Sequence, residues 1–286
     1  MIYNEKNFCI YAGYNKKSRI RPDVFEQIKN LSSKYLVIYV VSAEESIKED
    51  PLYSEILKIT SHIIIRNNLG YDFGSWKTGI NFLGEQLKDA NSLLLMNDSL
   101  YGPIFPMEQI IWNTLNSPFD ITSMTANDDD VGYHAQSYYI SYNNKVLNNE
   151  LFQFFWKNCP IKNINSDVDK ILMILKYEVA FSQLLFKIGF SHTALFNIKT
   201  QINPTIYSWN KLIDIGMPFI KNNLLFDSQE SLTQRAGHPP GAASRFVSGV
   251  GFDRINDYLN KNPSLLNKMK EFWIETSDKP RNIIFN

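Results

Sequence analysis

The stretch RNNLGYDFGSWKTGINFL, residues 66–83, decides the fold when it is set beside LLLMNDSLYGPIF, residues 93–105. In the first, the apolar run SHIII stops at Arg66, and Trp76, Ile80 and Leu83 then fall on one side of a helix. In the second, an apolar strand stops at a single aspartate, Asp98. Working outward, YLVIYVVS is a near-continuous apolar run, the pattern of a strand covered by helices on both faces of a parallel sheet. NFCIYAGY is a further β-rich run, RPDVFEQIKNLSSK has Val24, Phe25, Ile28 and Leu31 at helical spacing behind Pro22, and PLYSEILKI reads as a short helix. Strands and helices alternating through about the first hundred residues predict an open α/β sheet, a Rossmann-like mixed sheet flanked by helices, whose ligands sit outside the carboxyl ends of the strands. Both opening stretches begin at such ends.

Downstream, HAQSYYISYN alternates like one strand, and NELFQFFWKNC is a helix carrying Phe152, Phe155 and Trp156. YEVAFSQLLFKIG places Tyr177, Phe181, Leu184, Leu185 and Ile188 at helical spacing and closes on Gly189. The segment AGHPPGAASRFVSGVG has loop chemistry, and an amphipathic stretch from Phe252 to Phe272 follows it. No internal repeat, low-complexity block or domain linker interrupts the chain.

The 286 residues, with 44% apolar content, are enough for a substantial core. The 29 basic and 29 acidic residues cancel, which argues against nucleic acid as a partner. Cys9 and Cys159 lack the spacing of a zinc site or redox dithiol and read as buried thiols. The N-terminus does not have the form of a signal peptide and no apolar run reaches membrane-spanning length, so a cytoplasmic protein is expected.

At the first strand end, the glycines allow close backbone approach to a ligand, Asn68 offers amide donors and Arg66 a cationic fork suited to diphosphate, while Asp72 is an acceptor for a base or ribose. At the second, Asp98 is either a turn residue satisfying its own backbone or a ligand aimed into the cleft. Neither stretch is a dinucleotide fingerprint or a P-loop.

Taken together, RNNLGYDFGSWKTG, LLLMNDSLYGPI, HAQSYYISY, FFW, YEVAFSQLLFKIGF and NPTIYSWNKLIDIGMPFIKNNLL resemble, in order and rough spacing, the rhamnan synthesis protein F family of bacterial polysaccharide glycosyltransferases. The resemblance implies a single-domain A-type glycosyltransferase fold over residues 1–235, with 1–105 the nucleotide-sugar-binding half, 106–235 the acceptor-binding half, and 236–286 a C-terminal loop and helical extension. It implies a donor site comprising Tyr11, Ser42, Arg66, Asn68, Gly70, Asp72, Lys77, Asn97 and Ser99, and it makes Asp98 both a catalytic residue and a ligand for Mg²⁺ or Mn²⁺. The motif reads Asn97-Asp98 behind Met96, so the usual first carboxylate is missing. One aspartate still serves Mg²⁺ when phosphates and water complete the shell, or Arg66 or Lys77 neutralises the diphosphate instead.

Glu178, flanked by Tyr177, Val179 and Phe181, is the candidate base, with Asp120 as the alternative. His134, Gln136, Tyr138 and Lys221 are the acceptor-binding candidates, Lys221 being equally suited to donor phosphate. NDDD, residues 127–130, reads as a solvated turn, and His238 as part of a loop. The expected reaction transfers a sugar, L-rhamnose from dTDP-L-rhamnose by family name, to a growing surface glycan with inversion by direct displacement. The acceptor is a glycan or a lipid-linked glycan, with peripheral membrane contact through the Phe252–Phe272 stretch as one route to it. The rival readings are a noncatalytic glycan-binding or scaffold subunit and a nucleotide-sugar hydrolase or epimerase.

Overall fold

The computed structural model describes residues 6–15, 18–164, 166–200, 202–222 and 224; His238 and the C-terminal extension at 236–286 lie outside them. The first four strands, β1 (Asn7–Tyr14), β2 (Leu36–Ser42), β3 (His62–Arg66) and β4 (Ser92–Asn97), run parallel in the order β3-β2-β1-β4. They alternate with α1 (Pro22–Ser32), α2 (Pro51–Ile59) and α3 (Tyr71–Leu83), as the sequence predicts. Pro22 stands in the first turn of α1, where its missing N–H costs no hydrogen bond.

The second half begins with β5 (Leu100–Tyr101), α4 (Glu108–Leu115), β6 (Ile121–Ser123), β7 (Ala126–Asp129), β8 (Gly132–Ala135) and β9 (Tyr139–Asn143). Helices α5 (Asn144–Leu147), α6 (Glu150–Asn158), α7 (Asp167–Met173) and α8 (Ala180–Lys187) follow, then β10 (His192–Ala194), α9 (Pro204–Tyr207), α10 (Trp209–Asp214) and β11 (Ile220–Lys221). Seven strands form the mixed sheet β10-β6-β9-β4-β1-β2-β3, in which β9 is antiparallel to both β4 and β6. Two small antiparallel pairs, β11-β5 and β7-β8, stand outside it.

Alternation along the strands divides the core. Phe8, Ile10, Ile38, Leu93 and Leu95 face α3, α6 and α8 through Phe73, Trp76, Phe152, Trp156 and Phe181. Cys9, Tyr11, Val37, Tyr39, Leu94 and Met96 face α1 and α4 through Val24, Ile28, Leu31, Ile110 and Ile111. Burial on both faces is why these strands read as unbroken apolar runs. The Trp76 indole N–H donates to the Met96 carbonyl at 3.0 Å, and Phe155 stacks on Phe181 with centroids 3.6 Å apart. Cys9 and Cys159 are both free and buried.

Two elements differ from expectation. HAQSYYISYN is not one strand: His134 and Ala135 end β8 in the outlying hairpin, and Tyr139 begins β9 in the main sheet. The interruption has a cause in hydrogen bonding. The Gln136 N–H donates to the Thr125 carbonyl and so stays with the hairpin, whereas the Ser137 N–H donates to the Glu178 carboxylate and leaves the pairing. The helix expected from Tyr177 starts ten positions earlier, at Asp167, and widens into a π turn over Ile174–Val179 that carries Glu178. Single π turns inside helices recur at functional sites. Among the described residues, no helix is long and apolar enough to cross a membrane.

Candidate functional site

A cavity of about 710 Å³ opens beyond the carboxyl end of β4. Its walls come from the start of α3, the β4–β5 turn, the β7–β8 hairpin, the π turn, α9 and β11. It brings together Asp72, Asn97 and Ser99 with His134, Gln136, Tyr138, Glu178 and Lys221 from the second half. Tyr11, Ser42, Arg66, Asn68, Gly70, Lys77 and Asp98 are not among its lining residues.

Each of the latter has a partner or position that accounts for this. Tyr11 is fully buried and its hydroxyl donates to Gln27 at 2.7 Å, tying β1 to α1. Arg66 donates to the hydroxyls of Ser42 at 3.3 Å and Ser75 at 3.0 Å and to the carbonyls of Tyr71 and Leu69, so the fork expected to meet diphosphate closes its own loop. Lys77 donates to the carbonyls of Lys157 at 3.1 Å and Cys159 at 2.7 Å, capping the end of α6. Asn68 is exposed on the loop. Gly70 is left-handed at φ 71° and caps the N-terminus of α3, and Tyr71 follows at φ 47°. For a tyrosine that conformation is uncommon and strained, which marks the cavity's edge.

The contacts inside the cavity form a chain. Asn97 Nδ2 donates to Asp72 Oδ2 at 2.6 Å, and Asn97 Oδ1 accepts from the Ser99 hydroxyl at 2.6 Å. That hydroxyl accepts from Lys221 Nζ at 3.1 Å, and the same Nζ lies 4.3 Å from the centroid of the Tyr138 ring. Burial, with the charge of Asp98 adding to it, raises the Asp72 carboxyl to about 7. Burial lowers Lys221 to about 8, against the opposing pull of Glu178 and Asp72. Glu178 Oε2 accepts from both the backbone N–H and the hydroxyl of Ser137, leaving Oε1 as the oxygen for a ligand.

On the facing wall, His134 Nδ1 is 2.8 Å from the Gly132 carbonyl, a contact in which Nδ1 is the donor because a carbonyl only accepts. Gln136 accepts from Thr125 and donates to Asn203 at 3.2 Å, and the Tyr138 hydroxyl donates to Thr125, whose own proton goes to Gln136. These three polar groups are thus held by neighbours before any ligand arrives.

Sequence reasoning missed several lining residues. Asn127, Asp129 and Asp130 of the NDDD stretch line the cavity, because β7 turns inward there and Asn127 Nδ2 donates to Asp129 Oδ2 at 2.7 Å. Lys170, Asn203, Tyr207 and Asn222 also line it. The Asn203-Pro204 step signals a helix start, and Asn203 is indeed the cap of α9, but nothing in its sequence context points it toward a site.

Asp120, the alternative base, is not at the cavity. It joins β6, β9 and β10 by accepting from Ser191 N and Oγ at 2.9 Å each, Asn143 at 3.2 Å and Lys145 at 3.3 Å. Burial acts to raise its carboxyl, but these bonds outweigh it and lower the value from 3.8 to about 2. A folded-state value below the unfolded one means stability that is present above about pH 4 and lost as pH falls toward 2, roughly 1–2 kcal/mol in all. The expected result is that the stability gap between wild type and Asp120→Asn in urea titrations is widest above pH 4 and closes below it; a gap independent of pH would contradict this account.

A divalent cation on Asp98 is tested by the donors themselves. Asp98 Oδ2 accepts from the Tyr14 N–H at 2.8 Å, and its nearest counter-charge is Arg21, which donates to the Asp98 carbonyl at 2.9 Å. Among the described residues, no three His, Cys, Asp or Glu side chains converge as a metal site. Asp98 is bonded to the end of β1 and does not line the cavity, and no step below runs through a metal.

The family profile described as "Rhamnan synthesis protein F" matches residues 38–238. Protein y4gN of Sinorhizobium fredii is 30% identical over 177 residues, which cover 60% of this chain and 44% of that protein; the alignment thus spans less than half of that relative's length. Virulence protein VirA of Vibrio anguillarum is 26% identical over 263 residues, covering 79% of this chain and 81% of that one. The crystal structure of a glycosyltransferase involved in the glycosylation of the major capsid of PBCV-1 aligns over 81% of this chain and 100% of that chain, with a TM-score of 0.38 and 9% identity.

Proposed function

The chain belongs to the rhamnan synthesis protein F family, and from that premise we propose that it is an A-type glycosyltransferase moving a sugar from a nucleotide-activated donor to a bacterial surface glycan. The observation that carries this reading is Glu178: a carboxylate in a roomy cavity, with one oxygen fixed by Ser137 and the other available. An acceptor hydroxyl gives its proton to Glu178 Oε1 as its oxygen attacks the anomeric carbon. The bond from that carbon to the diphosphate oxygen breaks on the opposite face, so the configuration inverts and the diphosphate leaves with the electron pair. His134, Gln136 and Tyr138 line the wall that orients the acceptor, and Asp72, Asn97 and Ser99 lie on the donor side. The family name makes L-rhamnose, from dTDP-L-rhamnose, the donor to try first.

The acceptor we propose is lipid-linked and reached from the cytoplasmic face. Val168, Ile171, Leu172 and Leu175 are exposed along α7 and the π turn, and Ile171 and Leu175 also line the cavity, so an exposed apolar stripe runs into it.

The test is a thermal-shift panel of nucleotide sugars followed by product analysis. A donor that binds only the folded protein raises the melting temperature, by an amount corresponding to about 2.7 kcal/mol at a concentration a hundred times its Kd. Nucleoside diphosphate should then accumulate only when acceptor is added. Release of free sugar at full rate without acceptor would identify a hydrolase instead.

A further inference from the structure

We propose that the diphosphate of the donor is held between Lys170 and Lys221, beside Tyr71 and Asp72 at the start of α3. This deepens the glycosyltransferase reading and rests on it.

The lysines of the outer surface show what happens when a carboxylate is within reach: Lys29, Lys48, Lys58 and Lys88 each pair with a glutamate three positions earlier. Lys170 and Lys221 take part in no ion pair among the described residues, although both line the cavity and their charges act on each other. Their contacts are with neutral groups: the Ser99 hydroxyl and the Tyr138 ring for Lys221, the Tyr71 ring at 5.8 Å for Lys170. Two cations facing one space repel each other, Glu178 and Asp72 offset that repulsion at Lys221 without contacting it, and an anion bound between the lysines contacts both directly. Diphosphate in a nucleotide sugar carries two negative charges, which the pair matches, and it gains another as the sugar departs.

A second observation narrows the ligand. Asn222, next to Lys221, donates its amide to the Asp98 carbonyl at 2.6 Å, while its buried Oδ1 has no hydrogen-bond partner among the described residues. A buried acceptor left unpaired is costly, so the ligand that belongs here brings a hydroxyl or N–H as well as an anion. A nucleotide sugar supplies both, and inorganic pyrophosphate supplies the anion alone. The paired lysines also provide the charge neutralisation for which a metal ion was expected.

The experiment is calorimetric titration of the whole chain with inorganic pyrophosphate and with dTDP, in buffer containing EDTA, for the wild type and for Lys170→Gln, Lys221→Gln and Lys221→Arg. Lys29→Gln serves as a surface control, and circular dichroism checks folding. The expected result is pyrophosphate binding in EDTA, weakened at least tenfold by either glutamine variant, retained in Lys221→Arg and unchanged in the control. Equal binding by wild type and both glutamine variants, or binding that requires added Mg²⁺, overturns the proposal. The two readings fail separately. Sugar transfer that persists with lysine-independent pyrophosphate binding removes the subsite and keeps the transferase, whereas lysine-dependent pyrophosphate binding with no response to any nucleotide sugar does the reverse.

Discussion

Glu178→Gln lowers the rate of sugar transfer by about 10²–10⁴-fold, the range a positioned base contributes, and leaves the melting temperature nearly unchanged. The amide oxygen of glutamine still accepts from the backbone and hydroxyl of Ser137, so the break between β8 and β9 and the π turn keep their tie. What is lost is the ability to take a proton. Donor binding measured by thermal shift should survive the change, because the loss falls on kcat and not on the assembly of the cavity. A variant that transfers sugar at the wild-type rate would remove Glu178 from the chemistry. Ser137→Ala separates anchoring from proton transfer: it frees the carboxylate to adopt other positions and should reduce the rate less than the loss of the base itself.

Gly74→Ala has the largest expected effect on stability. A Cβ at that position would lie 1.9 Å from the Leu69 carbonyl oxygen and 2.6 Å from the Arg66 guanidinium, in the first turns of α3. The carbonyl is backbone and cannot swing aside, and Arg66 is already bonded to Leu69, Tyr71, Ser42 and Ser75. Relief requires the whole Arg66–Tyr71 loop to move. Destabilisation of about 3 kcal/mol is expected, typical of forced overpacking. That corresponds to a fall in melting temperature of roughly 6–12 °C for a chain of this size, measured by calorimetry. Because Tyr71 and Asp72 line the cavity, ligand-induced stabilisation should fall as well. A melting temperature within a degree of wild type would show that the loop yields easily and that its tight closure is not what fixes the start of α3.

The same loop shows how far the sequence could be followed. Arg66, Asp72 and the two glycines stand out because charge and turn chemistry interrupt apolar runs at a strand end, and in the fold they do lie at the carboxyl end of the sheet. Their division of labour was hidden. Arg66 and Asp72 are six positions apart, yet Arg66 turns back onto its loop while Asp72 meets Asn97 at the cavity. Lys221 is legible only as a lysine after an apolar run, and its contact with Ser99 crosses 122 positions of chain. The acidic stretch at Asn127–Asp130 looked like a solvated turn because adjacent carboxylates seldom converge, and nothing local reveals that the hairpin folds over a cavity.

The sequence by itself determined the parallel sheet of the first half, its covering helices and the end at which ligands gather, because burial on two faces leaves a periodic signature in consecutive residues. Only the tertiary structure decided which polar side chains remain available to a ligand. A guanidinium, an ammonium or a carboxylate meets whatever the distant chain brings within about 3 Å, and that neighbour is set by packing, not by adjacency in sequence.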